Sequence, residues 1–168
     1  MYYSYYNSPV GIIEISASDH ILSGVDFVKE TGSDKESNSI TESLRLQIHQ
    51  YFIGERTEFK VDIEFGGTDF QNRVWKELTQ IPFGQTITYK ELAQRVDSSK
   101  AYRAVGNANN KNRYAIVVPC HRVIGSSGKL VGYAGGIDIK KFLIEHEKRV
   151  LKSMEDNLNG WKEKGNKL

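Results

Sequence analysis

The sequence predicts an α/β chain in two parts: a sheet-plus-helix N-terminal domain and a mainly helical C-terminal domain with a helix-turn-helix and the reactive groups. Three observations predict it. Residues 2–28 alternate or run apolar as strands do, with turn residues between the runs. From residue 69 onward, apolar residues recur at helical spacing. Between these stretches Gly66-Gly67-Thr68 interrupts both patterns. The expected domains are 1–66 and 67–151, followed by a polar C-terminal extension over 152–168.

In chain order, Tyr2 to Tyr6 is aromatic and extended, and Asn7-Ser8-Pro9 with Gly11 supplies a turn. Gly11 to Ser16 and Ile21 to Val28 complete a β-meander. Residues 29–39 are polar throughout and read as a mobile loop. Thr41 is expected to N-cap a helix through Phe52, with Leu44, Ile48, Tyr51 and Phe52 on one stripe and Gly54 at its end. The alternation of Phe59, Val61, Ile63 and Phe65 predicts a further strand. Nothing in residues 1–66 suggests chemistry.

In the second part, Asp69 is expected to cap a helix bearing Phe70, Val74, Trp75 and Leu78, which Ile81-Pro82-Phe83-Gly84 breaks. Tyr89 to Val96 and Lys100 to about Asn109 read as two short helices across the turn Asp97-Ser98-Ser99, a helix-turn-helix pattern. The second helix is small-sided (Ala101, Ala104, Val105, Gly106, Ala108) and carries one long basic side chain, Arg103. A helix laid against a minor groove and inserting one side chain has this character, and so has a helix packed tightly on its own core. Ala115-Ile116-Val117-Val118 reads as a strand, and two glycine-rich loops follow, over 125–128 and 132–136. Asp138 is expected to cap a last helix with Ile139, Phe142, Leu143, His146 and Val150 on one stripe, which frays into a polar tail.

The chain has 168 residues, enough for one large or two small cores. A single Cys excludes an internal disulfide and a zinc site built on several thiols, and fits a reducing compartment. No apolar run is long enough to span a bilayer, and Met1-Tyr2-Tyr3-Ser4-Tyr5-Tyr6 lacks a secretory pattern. A cytoplasmic protein with no membrane partner is expected. The net charge of +2 hides an asymmetry. Residues 1–69 hold 5 Lys and Arg against 12 Asp and Glu, while residues 70–168 hold 18 against 9. The second part is therefore the candidate for a polyanionic partner.

The single thiol stands in Pro119-Cys120-His121-Arg122-Val123. Thiolates attack electrophiles, and a neighbouring imidazole, directly or through a water, can remove the proton. An unpaired Cys without context is more often a small buried apolar residue. The context here is unusual: Pro119-Cys120-His121-Arg122-Val123 resembles the active-site signature of the O6-alkylguanine-DNA alkyltransferases, the methylated-DNA–protein-cysteine methyltransferases. The resemblance extends through Phe70-Gln71-X-X-Val74-Trp75, Ile81-Pro82-Phe83-Gly84, Thr88-Tyr89-X-X-Leu92-Ala93, Arg103-Ala104-Val105-Gly106, Asn112 and Gly132-Tyr133-Ala134-Gly135-Gly136. It covers residues 69 to about 150. The first 65 residues resemble that family's ribonuclease-H-like domain only in general pattern.

The resemblance implies a repair protein that moves the alkyl group of O6-alkylguanine in double-stranded DNA onto Cys120, once and irreversibly. His121 would deprotonate Cys120 through a water, and Glu147 would orient His121. Tyr89 would give a proton toward guanine N3, assisted by Lys140. Asn112 would hold the active-site turn. Val123, Tyr133 and Ala134 would form the substrate pocket, with the Val123 carbonyl accepting from the guanine amine. Because the reacting carbon lies inside the stack, the nucleotide must be flipped out, and Arg103 would fill the gap. Tyr102, Ala104, Arg113 and Arg122 complete the implied DNA-binding set. Arg113 stands where the family commonly has Pro, and Ala134 where some members have Ser. No cofactor is implied, because the lesion itself is the alkyl donor, and a monomer is expected.

Two other readings stand beside it. Alkyltransferase-like proteins share the fold and bind alkylated DNA without reacting, usually with Trp in place of the Cys; Cys120 argues against that reading. A Cys hydrolase on a small substrate would need neither the Arg103 helix nor the charge split.

Overall fold

The computed structural model describes residues 1–33 and 35–165. The chain opens with three antiparallel strands in the order β1-β2-β3, namely β1 (Tyr2–Ser8), β2 (Gly11–Ala17) and β3 (Leu22–Val28). Their alternation is the cause of the layering: Ile13, Ile15 and Val25 turn inward and meet Leu44 and Ile48 of α1 (Ser39–Phe52), all buried. The second part contains α2 (Asp69–Leu78), β4 (Ile87–Thr88), α3 (Tyr89–Arg95) and α4 (Tyr102–Asn110). It continues through a 3₁₀ turn (Cys120–Arg122), β5 (Val123–Ile124) and α5 (Ile137–Gly165). One apolar cluster runs through both parts, from Ile15 and Leu44 to Val74, Leu92, Val118 and Leu143. The α/β architecture and the helix-turn-helix, α3 and α4 across a turn with Asp97 at φ 56°, match the sequence reading.

Several boundaries differ from that reading, each for a local reason. The cap of α1 is Asn38, whose side chain accepts from Thr41 N while Thr41 Oγ1 accepts from Asn38 N. Thr41 is thus the buried third residue of a capping box. Thr68, not Asp69, caps α2, in the same reciprocal arrangement with Gln71. The second helix of the pair begins at Tyr102, not Lys100. Ile137 already lies in α5, so Asp138 sits in its first turn rather than at the cap. The helix continues through the described part of the extension to Gly165, with Trp161 exposed.

Two expected strands do not form. Phe59, Val61, Ile63 and Phe65 do alternate toward the core, but no strand among the described residues lies beside them. The Gln47 side chain of α1 stands in for a neighbouring strand, accepting from Lys60 N at 2.8 Å and donating to Lys60 O at 3.0 Å. Ala115 to Val118 is a tight turn after a single bridge, Val25 to Tyr114. Ile116 there has φ 70°, a left-handed conformation that a β-branched residue adopts only under constraint. The apolar run signals burial; the turn is imposed by Asn112, as the site geometry shows.

Candidate active site

Cys120 opens the 3₁₀ turn directly after Pro119. Asn112 builds the approach to it. Its Oδ1 accepts from Tyr114 N (3.0 Å), and its Nδ2 donates to Val118 O (2.8 Å) and to Cys120 Sγ (3.2 Å). One amide therefore closes the 112–118 turn and touches the sulfur. Asn109, at the end of α4, donates to Cys120 O at 3.4 Å. The sulfur is nearly enclosed but lines a cavity of about 80 Å³ with Asn110, Asn112, Tyr133, Ala134 and Phe27. Burial pushes the Cys120 thiol up, opposed by the Asn112 hydrogen bond and the Lys140 charge. The resting sulfur is a thiol and needs a base.

His121 is fully buried beside it. Its Nε2 lies 2.5 Å from Glu147 Oε2, which fixes the tautomer with Nε2 protonated against the carboxylate. Its Nδ1 has no hydrogen-bond partner among the described residues. Burial lowers the imidazole pKa; Glu147 opposes that, while Arg122 and Lys140 add to it. The ring is neutral and free to accept a proton at Nδ1.

Glu147, on α5, is the hub. Oε1 accepts from Arg122 Nε (2.7 Å) and Gly84 N (3.2 Å), and Oε2 accepts from His121, Tyr51 Oη (2.6 Å) and Arg122 Nη2 (3.2 Å). Burial disfavours the carboxylate, but the His121 and Arg122 partners overcome this and hold it well below the usual range. This geometry corrects one expectation: Arg122 is not on the DNA-facing surface. It is buried, its Nη1 donating to Ile81 O at 2.7 Å, and its charge neutralises Glu147.

The Ile81-Pro82-Phe83-Gly84 segment, read from sequence as a helix breaker, thus supplies two main-chain groups to this network. Gly84 is required there. At φ 79° it turns its N–H toward Glu147, and a Cβ would lie 2.6 Å from Leu151 Cδ2.

Lys140, also on α5, is buried with its ammonium on Val131 O (2.9 Å), Gly132 O (3.3 Å) and Tyr89 Oη (3.5 Å). Burial lowers its pKa to about 8, opposed by Cys120. Tyr89, the first residue of α3 after the Thr88 cap, donates to Val131 O at 3.0 Å; burial raises its pKa. The parallel pairing of β4 with β5, Ile87 against Val123, sets this tyrosine and the post-Cys segment in register. Tyr133 packs edge-on to Phe27 at 6.3 Å, and its hydroxyl is buried without a partner among the described residues. Gly135 is needed at this contact, since a Cβ would lie 2.9 Å from Phe27.

Beyond the cavity, Tyr89, Tyr102, Arg103, Gly106, Asn110 and Val131 line an open groove of about 470 Å³. Tyr102, Arg103 and Ala104 are exposed on it or beside it. Asn110 borders both spaces. Arg113 is exposed in a separate cleft with Met1, Glu64 and Lys111 and is not brought to Arg103. Among the described residues, no cluster of three or more His, Cys, Asp or Glu could hold a metal ion.

Sequence reasoning missed Tyr51, Asn109 and the wall formed by Phe27. Asn109 had a local signal in the Asn-rich end of α4. Tyr51 and Phe27 had none, because only the packing of the first part on the second brings them here.

Residues 69–149 match the family model for the 6-O-methylguanine DNA methyltransferase DNA-binding domain, and residues 1–65 that for its ribonuclease-like domain. The chain is 45% identical to the methylated-DNA–protein-cysteine methyltransferase of Methanosarcina barkeri over 158 residues, 90% of this chain and all of that one. It is similar to the crystal structure of Mycobacterium tuberculosis O6-methylguanine methyltransferase. There the TM-score is 0.80 at 42% identity, covering 88% of this chain and 93% of that one. It is also similar to Mycobacterium tuberculosis OGT in complex with DNA. That comparison gives a TM-score of 0.82 at 42% identity, over 89% and 94% of the two chains.

Proposed function

The chain belongs to the 6-O-methylguanine DNA methyltransferase family, and we propose that it repairs O6-alkylguanine in double-stranded DNA by taking the alkyl group onto its own Cys120. The observation that carries this assignment of residues is the surroundings of the thiol. Three buried polar atoms without partners among the described residues, Asn109 Oδ1, His121 Nδ1 and Tyr133 Oη, belong to side chains that hold, neighbour or face Cys120. Buried polar atoms left unpaired are rare and mark a place where a ligand or water completes the hydrogen bonding.

In the reaction the S–C bond forms as the C–O6 bond breaks. The thiol proton passes through a water to Nδ1 of neutral His121, whose imidazolium Glu147 stabilises. Guanine leaves as its charge is neutralised by a proton from Tyr89, whose hydroxyl faces the Lys140 ammonium. His121 then returns its proton to water and Tyr89 regains one from water, so that in sum one proton leaves the thiol and one arrives on the guanine. The thioether has no route back, so each chain acts once. No external alkyl donor or cofactor enters this sequence. The cavity of about 80 Å³ holds a few waters rather than a purine.

The small-sided face of α4 brings its backbone close to the duplex, and the C-terminal part carries the positive charge that holds phosphates in any sequence. Arg103 fills the place of the extruded nucleotide. Arg103→Ala is expected to weaken binding to lesion duplex about 10-fold more than binding to undamaged duplex, measured by fluorescence anisotropy at fixed salt. Equal losses would assign Arg103 to phosphate contact alone.

The domain division follows the same reading, with 1–66 as scaffold, 67–151 as the DNA-binding and reacting unit, and 152–168 as an extension. No helix among the described residues is long and apolar enough to cross a membrane. A single thiol that must stay reduced to react favours a reducing compartment such as the cytoplasm. The direct test is intact mass after incubation with an O6-methylguanine duplex. A gain of one methylene on Cys120 is expected; tight binding with unchanged mass would support a non-reacting sensor.

A further inference from the structure

We propose that Tyr51, on α1 of the N-terminal part, is a positioning residue for alkyl transfer: its hydroxyl holds the Glu147 carboxylate and through it tunes His121 as the base for Cys120. The proposal rests on the transfer reaction above. Its ground is a contact between residues 96 apart in sequence, Tyr51 Oη to Glu147 Oε2 at 2.6 Å, in a fully buried setting.

The ring of Tyr51 is packed for its own sake. Phe52, Phe59, Phe83 and His146 surround it at centroid distances of 5.2, 5.7, 6.0 and 5.1 Å. Phenylalanine would fill that site as well. The hydroxyl adds a desolvation cost that only a partner offsets, and its partner is the oxygen that also takes the His121 N–H. The main chain is pinned at the same point, since His146 Nε2 bonds Tyr51 O at 2.9 Å. Helix α1 is thereby fixed to α5 at both the hydroxyl and the main-chain carbonyl of Tyr51.

The groups facing His121 set the sign of the effect. They are Glu147 and Lys140 from α5 and Arg122 and Cys120 from its own turn; Tyr51 from α1 reaches it only through Glu147, which Tyr133 of the following loop also faces. Each donor on the carboxylate withdraws charge that would otherwise hold a proton on the imidazole. With the Tyr51 hydroxyl in place, Glu147 orients His121 without charging it. Without the hydroxyl the carboxylate pulls harder, the imidazole charges at higher pH, and the base is lost sooner on acidification. An N-terminal residue thus reaches the chemistry through Glu147.

Tyr51→Phe keeps the packing and removes the donor. The rate of methyl transfer from an O6-methylguanine duplex should keep its high-pH plateau. Its acidic limb should move up by about 0.5–1 pH unit, a loss of roughly 3- to 10-fold below the limb. The His121 imidazole, followed by ¹⁵N NMR in the DNA-free protein, should titrate higher by the same amount. Phe59→Leu loosens the same aromatic cluster without touching the hydroxyl, and should lower stability while leaving both readouts in place. An unmoved profile and titration in Tyr51→Phe, or an equal shift in Phe59→Leu, overturns the proposal. If the unaltered protein transfers no methyl group, the functional assignment fails, and the imidazole titration still decides the role of Tyr51.

Discussion

Glu147→Gln is expected to lower stability by about 3–5 kcal/mol and to slow methyl transfer roughly 10²- to 10⁴-fold. The stability loss follows from Arg122. Its guanidinium is buried against one carboxylate and one carbonyl, and a neutral amide leaves that charge uncompensated. For a chain of this length the change corresponds to a fall in Tm of roughly 10 °C. The rate loss follows from His121, whose tautomer and developing charge depend on the same carboxylate. A carboxyl held below its ordinary range adds stability that is present above the unfolded-state value near 4.3 and fades as pH falls below it. Glu147→Gln should therefore also flatten the acid side of the stability curve, measured by chemical denaturation from pH 3 to 7. Glu147→Leu combined with Arg122→Met removes both charges together but leaves His121 Nε2, Tyr51 Oη and Gly84 N without their acceptor, so it should recover only part of the stability and none of the transfer.

Cys120→Ser is expected to abolish transfer, by at least about 10⁴-fold, while leaving lesion binding within a few-fold of the unaltered protein. A hydroxyl in this site can still accept from Asn112, so the turn over 112–118 keeps its closure. What is lost is the nucleophile: a serine hydroxyl ionises far less readily than a thiol, and a neutral imidazole cannot activate it for displacement at a methyl carbon. The binding groove at Tyr102, Arg103 and Gly106 lies outside the change. Intact mass and anisotropy on the same preparation separate the two effects, and stability should fall by no more than about 1 kcal/mol.

Much of this molecule was legible in its sequence because the signals are local. Alternation gave β1 to β3, helical spacing gave α1, α2 and α5, and the ordered motifs around Cys120 gave the family. What escaped was set by particular side-chain hydrogen bonds that no periodicity reports. Phe59 to Phe65 has the periodicity of a strand, but the Gln47 side chain occupies the edge where a partner would lie. Ala115 to Val118 is apolar enough for a strand, yet Asn112 folds it into a turn with Ile116 left-handed. Arg122 reads as a surface cation beside a reactive thiol, and only the fold shows that Glu147 and Ile81 draw it inward. Tyr51 carried no sign of chemistry at all, being one member of an amphipathic stripe.

The central claim is a single, stoichiometric transfer to Cys120, and counting turnovers tests it most directly. With a duplex containing one O6-methylguanine supplied in large excess, repaired guanines per protein chain should rise to one and stop, with the methyl group recovered on the Cys120 peptide. Release that continues past one per chain would show a catalyst that regenerates its thiol, and binding without any release would show a reader of damage. Either result contradicts the account.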